Sequence, residues 1–128
     1  MKSFILSLTV ASSLAVALAV PPAFADAGHG PQHGGMVREL HNVSYELVAT
    51  PDSLTLHLSD HGKPVATKGG KAEAVIYAGN QKTTATLEPA GENLMVAKGT
   101  FKVGVGVRVL ITTTLPGKTP TKATFNLK

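Results

Sequence analysis

Residues 43–59 alternate, and the alternation leaves little choice of fold. Val43, Tyr45, Leu47 and Ala49 are interleaved with Ser44, Glu46 and Val48, and Leu54, Leu56 and Leu58 with Thr55, His57 and Ser59. A period of two sends successive side chains to opposite faces of an extended chain, so each segment predicts a strand with one buried and one wet face. A helix would scatter the same leucines around its circumference. Thr50-Pro51-Asp52-Ser53 reads as the turn between the two strands, and Asp60-His61-Gly62-Lys63-Pro64 as the turn that ends the second.

The pattern continues to the end of the chain. Strands are predicted at 36–40, 72–78, 81–87, 94–98, 105–114 and 122–127. Gly79-Asn80 forms a tight hairpin turn, and residues 89–93 and 115–118 form loops. Seven to eight short strands with evenly spaced turns predict an all-β fold, an antiparallel β-sandwich of immunoglobulin-like or cupredoxin-like topology. A closed barrel is the alternative. Gly104-Val105-Gly106 reads as a bulge or bend within a strand. No Lys-Ser/Thr and no helix follow it, so it is not a phosphate loop.

The first 25 residues have another character. Lys2 is followed by an apolar run over 5–20, broken only by Ser and Thr. Pro21-Pro22 stops the run, and Ala23-Phe24-Ala25 offers small residues for cleavage. This order predicts a secretory signal peptide over 1–25. The run sits at the lower limit of the ~17–25 apolar residues of a spanning helix, so no membrane association is expected once it is removed. Ala25-Asp26-Ala27 is a second cleavage option, with the mature chain starting at Asp26 or at Gly28. The rest divides into a His/Gly-rich flexible arm over 26–35 and one domain over 36–128. The chain has no cysteine, which excludes disulfides, thiolate metal sites and a cysteine nucleophile, and an exported chain of this kind suits a bacterial periplasm. Its charges are scattered, with 12 Lys+Arg against 8 Asp+Glu, and aromatics beyond the leader are few. Neither a nucleic-acid footprint nor a stacking platform is expected.

Catalysis finds no support in the sequence. There is no nucleophile elbow and no distinctive carboxylate pair. Asn42-Val43-Ser44 matches a glycosylation sequon, a match without meaning in a bacterial host. Histidine is the informative residue, since neutral imidazole is the commonest protein metal ligand near neutral pH. His29 and His33 lie four apart in "GHGPQHGGM", residues 28–36, where glycines allow the backbone to wrap an ion. Met36 adds a thioether, a soft donor for Cu(I), and imidazoles suit copper, zinc and nickel. A chain beginning at Gly28 would also offer its amine, an amide nitrogen and His29 as a Cu(II) chelate. His41 and His61, in or near turns, complete a site if the arm folds back across that edge. The expected metal ligands are therefore His29, His33, Met36, His41 and His61. His57, opposite the leucines of its strand, is expected to face water.

Several segments together resemble a known group. "HGGMV" (33–37), "YELVATPDSLTLHLSDHGKPV" (45–65), "LEPAGENLM" (87–95), "VRVLITTTLPGK" (107–118) and "ATFNLK" (123–128) resemble small exported β-sandwich proteins of bacterial heavy-metal and copper resistance systems. They also resemble the β-rich module near the amino terminus of periplasmic adaptor (membrane-fusion) proteins of heavy-metal efflux pumps. The resemblance covers most of 33–127. It implies metal handling without catalysis, carries over His33, Gly34 and Gly35 as the family lead, and makes His33 a ligand. The chain lacks the adaptors' helical hairpin and lipoyl-like segment, so it is at most an isolated binding module. The expected function is a periplasmic metal-binding protein, with copper ahead of zinc or nickel, that buffers the ion or hands it to an efflux or metal-handling protein. The alternative is a non-enzymatic envelope interaction module whose histidines are incidental.

Overall fold

The computed structural model describes residues 30–128. The expected signal peptide, both cleavage options and His29 lie outside the described residues. The domain is all-β and its strand pairs are antiparallel. There are nine strands: β1 Met36–Leu40, β2 Val43–Thr50, β3 Ser53–Asp60, β4 Lys63–Pro64, β5 Lys71–Ala78, β6 Gln81–Pro89, β7 Leu94–Lys98, β8 Arg108–Thr114 and β9 Thr121–Asn126. The count exceeds the expected seven to eight through β4, two residues that pair with the end of β3 inside what the sequence presents as a turn.

Hydrogen-bonded neighbours follow the order β1-β2-β3-β7-β6-β5-β8-β9. β5, β6 and β7 are consecutive, and β8 returns beside β5, which is a Greek key. β3 lies on the other side of the same trio, against β7. β6 joins the two layers. Its residues 81–87 pair with β5 and its last two, Glu88 and Pro89, pair with β7. The two packed layers are thus one continuous sheet curled almost into a barrel. β1 and β9 face each other across the remaining seam.

The core follows from the alternation. Leu47 of β2, Leu54, Leu56 and Leu58 of β3, Ile111 of β8 and Phe125 of β9 are essentially without solvent contact and interdigitate between the layers. Thr67 is the one fully buried polar residue of the β4–β5 crossover. Its hydroxyl lies 3.2 Å from the carbonyl oxygens of Gly91 and Leu94, so the crossover is fastened to the loop before β7. That loop is fastened in turn to β3, where the Leu58 amide donates to the Asn93 carbonyl (2.9 Å) and Asn93 Nδ2 donates to the Leu58 carbonyl (3.1 Å).

Two expectations are corrected. β8 begins at Arg108, not at 105. Gly104 and Gly106 adopt φ of 130° and 88°, which only glycine takes readily, and the Val107 amide closes the turn onto the Gly104 carbonyl (3.2 Å). The glycines therefore form a turn ahead of the strand, not a bulge within it. The second correction is that β2 is buried on both faces. Ser44 and Glu46, expected to be wet, are each only 5% exposed, and Glu46 is covered by residues 32–35, whose backbone amides bind its carboxylate.

Leu56 is fully enclosed, so Leu56→Ala should destabilise the domain by roughly 2–5 kcal/mol, measured by urea unfolding of the mature chain. A loss below about 1 kcal/mol would contradict the packing of β3 against the second layer.

Candidate functional site

The β2–β3 hairpin builds the site. Its register places Glu46 directly opposite His57, and both point away from the core because Tyr45, Leu47, Leu56 and Leu58 occupy the inward positions. The arm crosses over this pair. The backbone amide of Gln32 donates to Glu46 Oε1 (2.9 Å), and the amides of His33 and Gly35 donate to Oε2 (2.8 and 2.9 Å). The His33 ring contributes Nδ1, 3.1 Å from Oε1. A buried carboxylate is strongly disfavoured unless donors replace its water, and hydrogen bonds to a charged group are worth about 1.5–3 kcal/mol each. The segment expected to be a free arm is, over its described residues, held down by Glu46.

The two glycines after His33 make this path possible. Gly34 has φ of 75°, in the left-handed region. A Cβ on Gly35 would overlap the carbonyl oxygen of Leu47, so the arm can lie this close to β2 only with glycine there.

The docked arm carries the His33 ring onto the His57 ring. Their centroids are 3.7 Å apart and their planes differ by 5°. His57 is therefore half-buried, which corrects the expectation that it faces water. Beside the stack lies a small polar cavity of about 20 Å³, lined by His33, Ser44, Glu46, His57, Ser59 and Asn93 among others. Electrostatics differ across the site. Burial by itself would raise the Glu46 carboxyl, but the backbone amides of Gln32, Gly35 and His33 and the His33 ring outweigh it and hold its pKa below the ordinary 4.5. His57 is lowered from 6.5, first by burial and then by the charge of His33, with Glu46 opposing.

The expected ligands are not gathered at one place. His33 is in the site. Met36 begins β1 opposite Leu47 and packs against the core, on the other face of the sheet from the histidine pair. His41 lies in the two-residue turn joining β1 to β2, with His41 and Asn42 at φ of 52° and 66°. Five residues of β1 separate it from Gly35, roughly 20 Å over six steps of ~3.4 Å. His61 (φ 49°) occupies the turn after β3, its Nδ1 2.5 Å from Asp60 Oδ1. Among the described residues, no group of three or more His, Asp and Glu side chains is arranged to hold a metal ion. Glu46 and His57, which the sequence reading left out, form the centre of the cluster with His33. Their pairing depends on strand register, and a lone acidic residue among the outward positions of β2 was the only sequence signal. No protein family, curated protein or solved structure matches the chain.

Both pKa shifts make the docked arm sensitive to acid. His57 is lowered, so stability tied to its neutral form is complete above 6.5 and is lost as pH falls through the lowered value. Glu46 is also lowered, and its contribution is present above 4.5 and lost as pH falls below that. In an NMR titration of the mature chain, the His57 ring should titrate below 6.5, and His33→Ala should raise its midpoint toward that value. A wild-type midpoint at or above 6.5 would contradict the covered, stacked state.

Proposed function

We propose that the chain is an exported, non-catalytic metal-binding protein of the bacterial periplasm, one that buffers a transition-metal ion or hands it on to an efflux or metal-handling protein. The observation that carries this reading is the His33–His57 pair with Glu46 on the His33 Nδ1. Before an ion binds, the Glu46 carboxylate holds a proton on the Nδ1 of a neutral His33 ring, which selects the tautomer whose Nε2 carries the lone pair for ligation. His29, outside the described residues, is the further donor that the sequence offers from the arm. With Met36 turned to the core, the donors are mainly imidazole nitrogens, which suit Cu(II), Zn(II) and Ni(II). Copper comes first through the resemblance to copper and heavy-metal resistance proteins.

One observation favours the alternative of an envelope interaction module. The seam between β1 and β9 is a groove of about 910 Å³, lined by Met36, Arg38, Ala49, Val103, Thr124 and Leu127 among others. Its two strand edges resemble the surfaces to which extended peptides add.

Titration of the mature protein with Cu(II), Zn(II) and Ni(II) separates the two readings. Saturable binding of about one equivalent is expected, and His33→Ala and His57→Ala should each weaken it at least tenfold, about 1.4 kcal/mol. The core should be preserved in both variants, because neither ring belongs to it. Absent binding, or affinity unchanged in both variants, would favour the interaction module.

A further inference from the structure

We infer that Glu46 is the positioning residue of the metal site: it clamps the arm backbone to the sheet so that the His33 ring can leave its stack on His57 and turn edge-on to a shared ion while the arm stays docked. This rests on the metal-binding reading above.

The stacked arrangement cannot itself hold one ion through both rings. An imidazole nitrogen donates in the plane of its ring, over about 2.0–2.1 Å to a zinc-sized ion. Here the planes are nearly parallel and the centroids 3.7 Å apart. An ion midway between them would sit roughly 1.8 Å out of each plane, most of the ~2.1 Å bond length. Shared ligation therefore requires one ring to turn. His57 stands on β3 between Leu56 and Leu58, both fully buried, and its strand is paired on both sides, with Glu46 of β2 and Leu94 of β7. Its backbone is fixed. His33 is 45% exposed at its side chain and lies on the arm, so it is the ring with freedom to move.

Glu46 separates that ring from its backbone. Three of its four contacts are to amides, of Gln32, His33 and Gly35, and only one is to the His33 ring. When the ring turns, the single contact through Nδ1 is lost and the three amide contacts remain. The His33 Cα then stays above His57, and the swing uses side-chain torsions alone. The space for an ion adjoins the stack. The cavity of about 20 Å³ touches both rings, and about 10–15 Å³ by this measure already holds one water. Ser44, Ser59 and Asn93 on its wall supply oxygen atoms for an ion's remaining water ligands.

The test uses the mature chain with Cu(II) and Zn(II), comparing wild type, His33→Ala, His57→Ala, Glu46→Gln and Gly35→Ala. Glu46→Gln removes the charge and turns an amide donor toward amide donors. Gly35→Ala displaces the arm while leaving Glu46 and both rings intact, and so covers the case in which Glu46→Gln folds poorly. Both should lower affinity at least tenfold and change the Cu(II) paramagnetic resonance spectrum from two coordinated imidazoles to one, while the circular dichroism of the β-sheet stays that of the wild type, which excludes unfolding as the cause. In the wild type, the amides of Gln32, His33 and Gly35 should keep their hydrogen-exchange protection when metal binds, while the His33 and His57 ring signals shift. If His33→Ala and His57→Ala lose affinity but Glu46→Gln and Gly35→Ala retain it with an unchanged spectrum, the positioning role is overturned and the metal site stands. Loss of arm protection on metal binding in the wild type also overturns it. Unchanged affinity in His33→Ala and His57→Ala overturns the metal site itself, and this inference with it.

Discussion

A carboxylate can stay ionised away from water only where other donors take the place of its hydration shell, and Glu46 meets that condition with the backbone of its own N-terminal arm. The outer face of the β2–β3 hairpin is organised around this exchange. Three amides that an extended arm would leave to solvent become partners of one side chain, and a segment rich in glycine, costly to order, acquires a fixed path. Remove the charge and the arm keeps the His33–His57 stack but loses the acceptor of its three amides. Without the arm, His57 would lose its lid and Glu46 would return to water, as the alternation of its strand describes.

The curled sheet supplies the platform. A site on a loop inherits the loop's mobility, whereas Glu46 and His57 stand at opposed positions of two eight-residue strands whose other faces are filled by Tyr45 and leucines. Their separation is set by the spacing of the ladder. Only His33 comes from outside that platform, and it arrives next to two glycines that let the backbone turn and then press against Leu47. The division is between a rigid half, fixed by the core, and an adjustable half, fixed by a single carboxylate.

How much of this is legible in the sequence varies with the range of the forces involved. The alternation of Leu54, Leu56 and Leu58 is local and strong, and it places β3 and its inward face correctly. Gly79-Asn80 likewise marks its hairpin. β4 is two residues long and exists only because the end of β3 is there to pair with it, so no local pattern announces it. Val105 and Val107 look like strand residues, but the glycines between and before them have φ values that break the ladder. At the site, His33 is recognisable from its glycine setting. His57 reads as a surface residue because period two reports which face a side chain takes, and says nothing about what later covers that face. Glu46 is missed for the same reason. Met36 shows the converse error: it is near His33 in the chain, yet one residue of strand past Gly35 is enough to put it on the other side of the sheet.

The seam between β1 and β9 has a consequence for how such a domain comes to exist. These are the first and last strands of the described chain, and they flank the only gap in the order of neighbours. Hairpins supply β1-β2-β3, β5-β6-β7 and β8-β9, the longer-range pairings of β3 with β7 and β5 with β8 join them, and the two rims meet only after the final strand has been delivered. A chain that emerges amino end first, from a ribosome or through a membrane pore, thus carries its arm and β1 as an unfinished rim while the other strands assemble. Long-range closures of this kind are slow because the loop entropy is spent before the contact forms. β1 is the first strand of the domain to appear, and its outer edge is among the last to be covered.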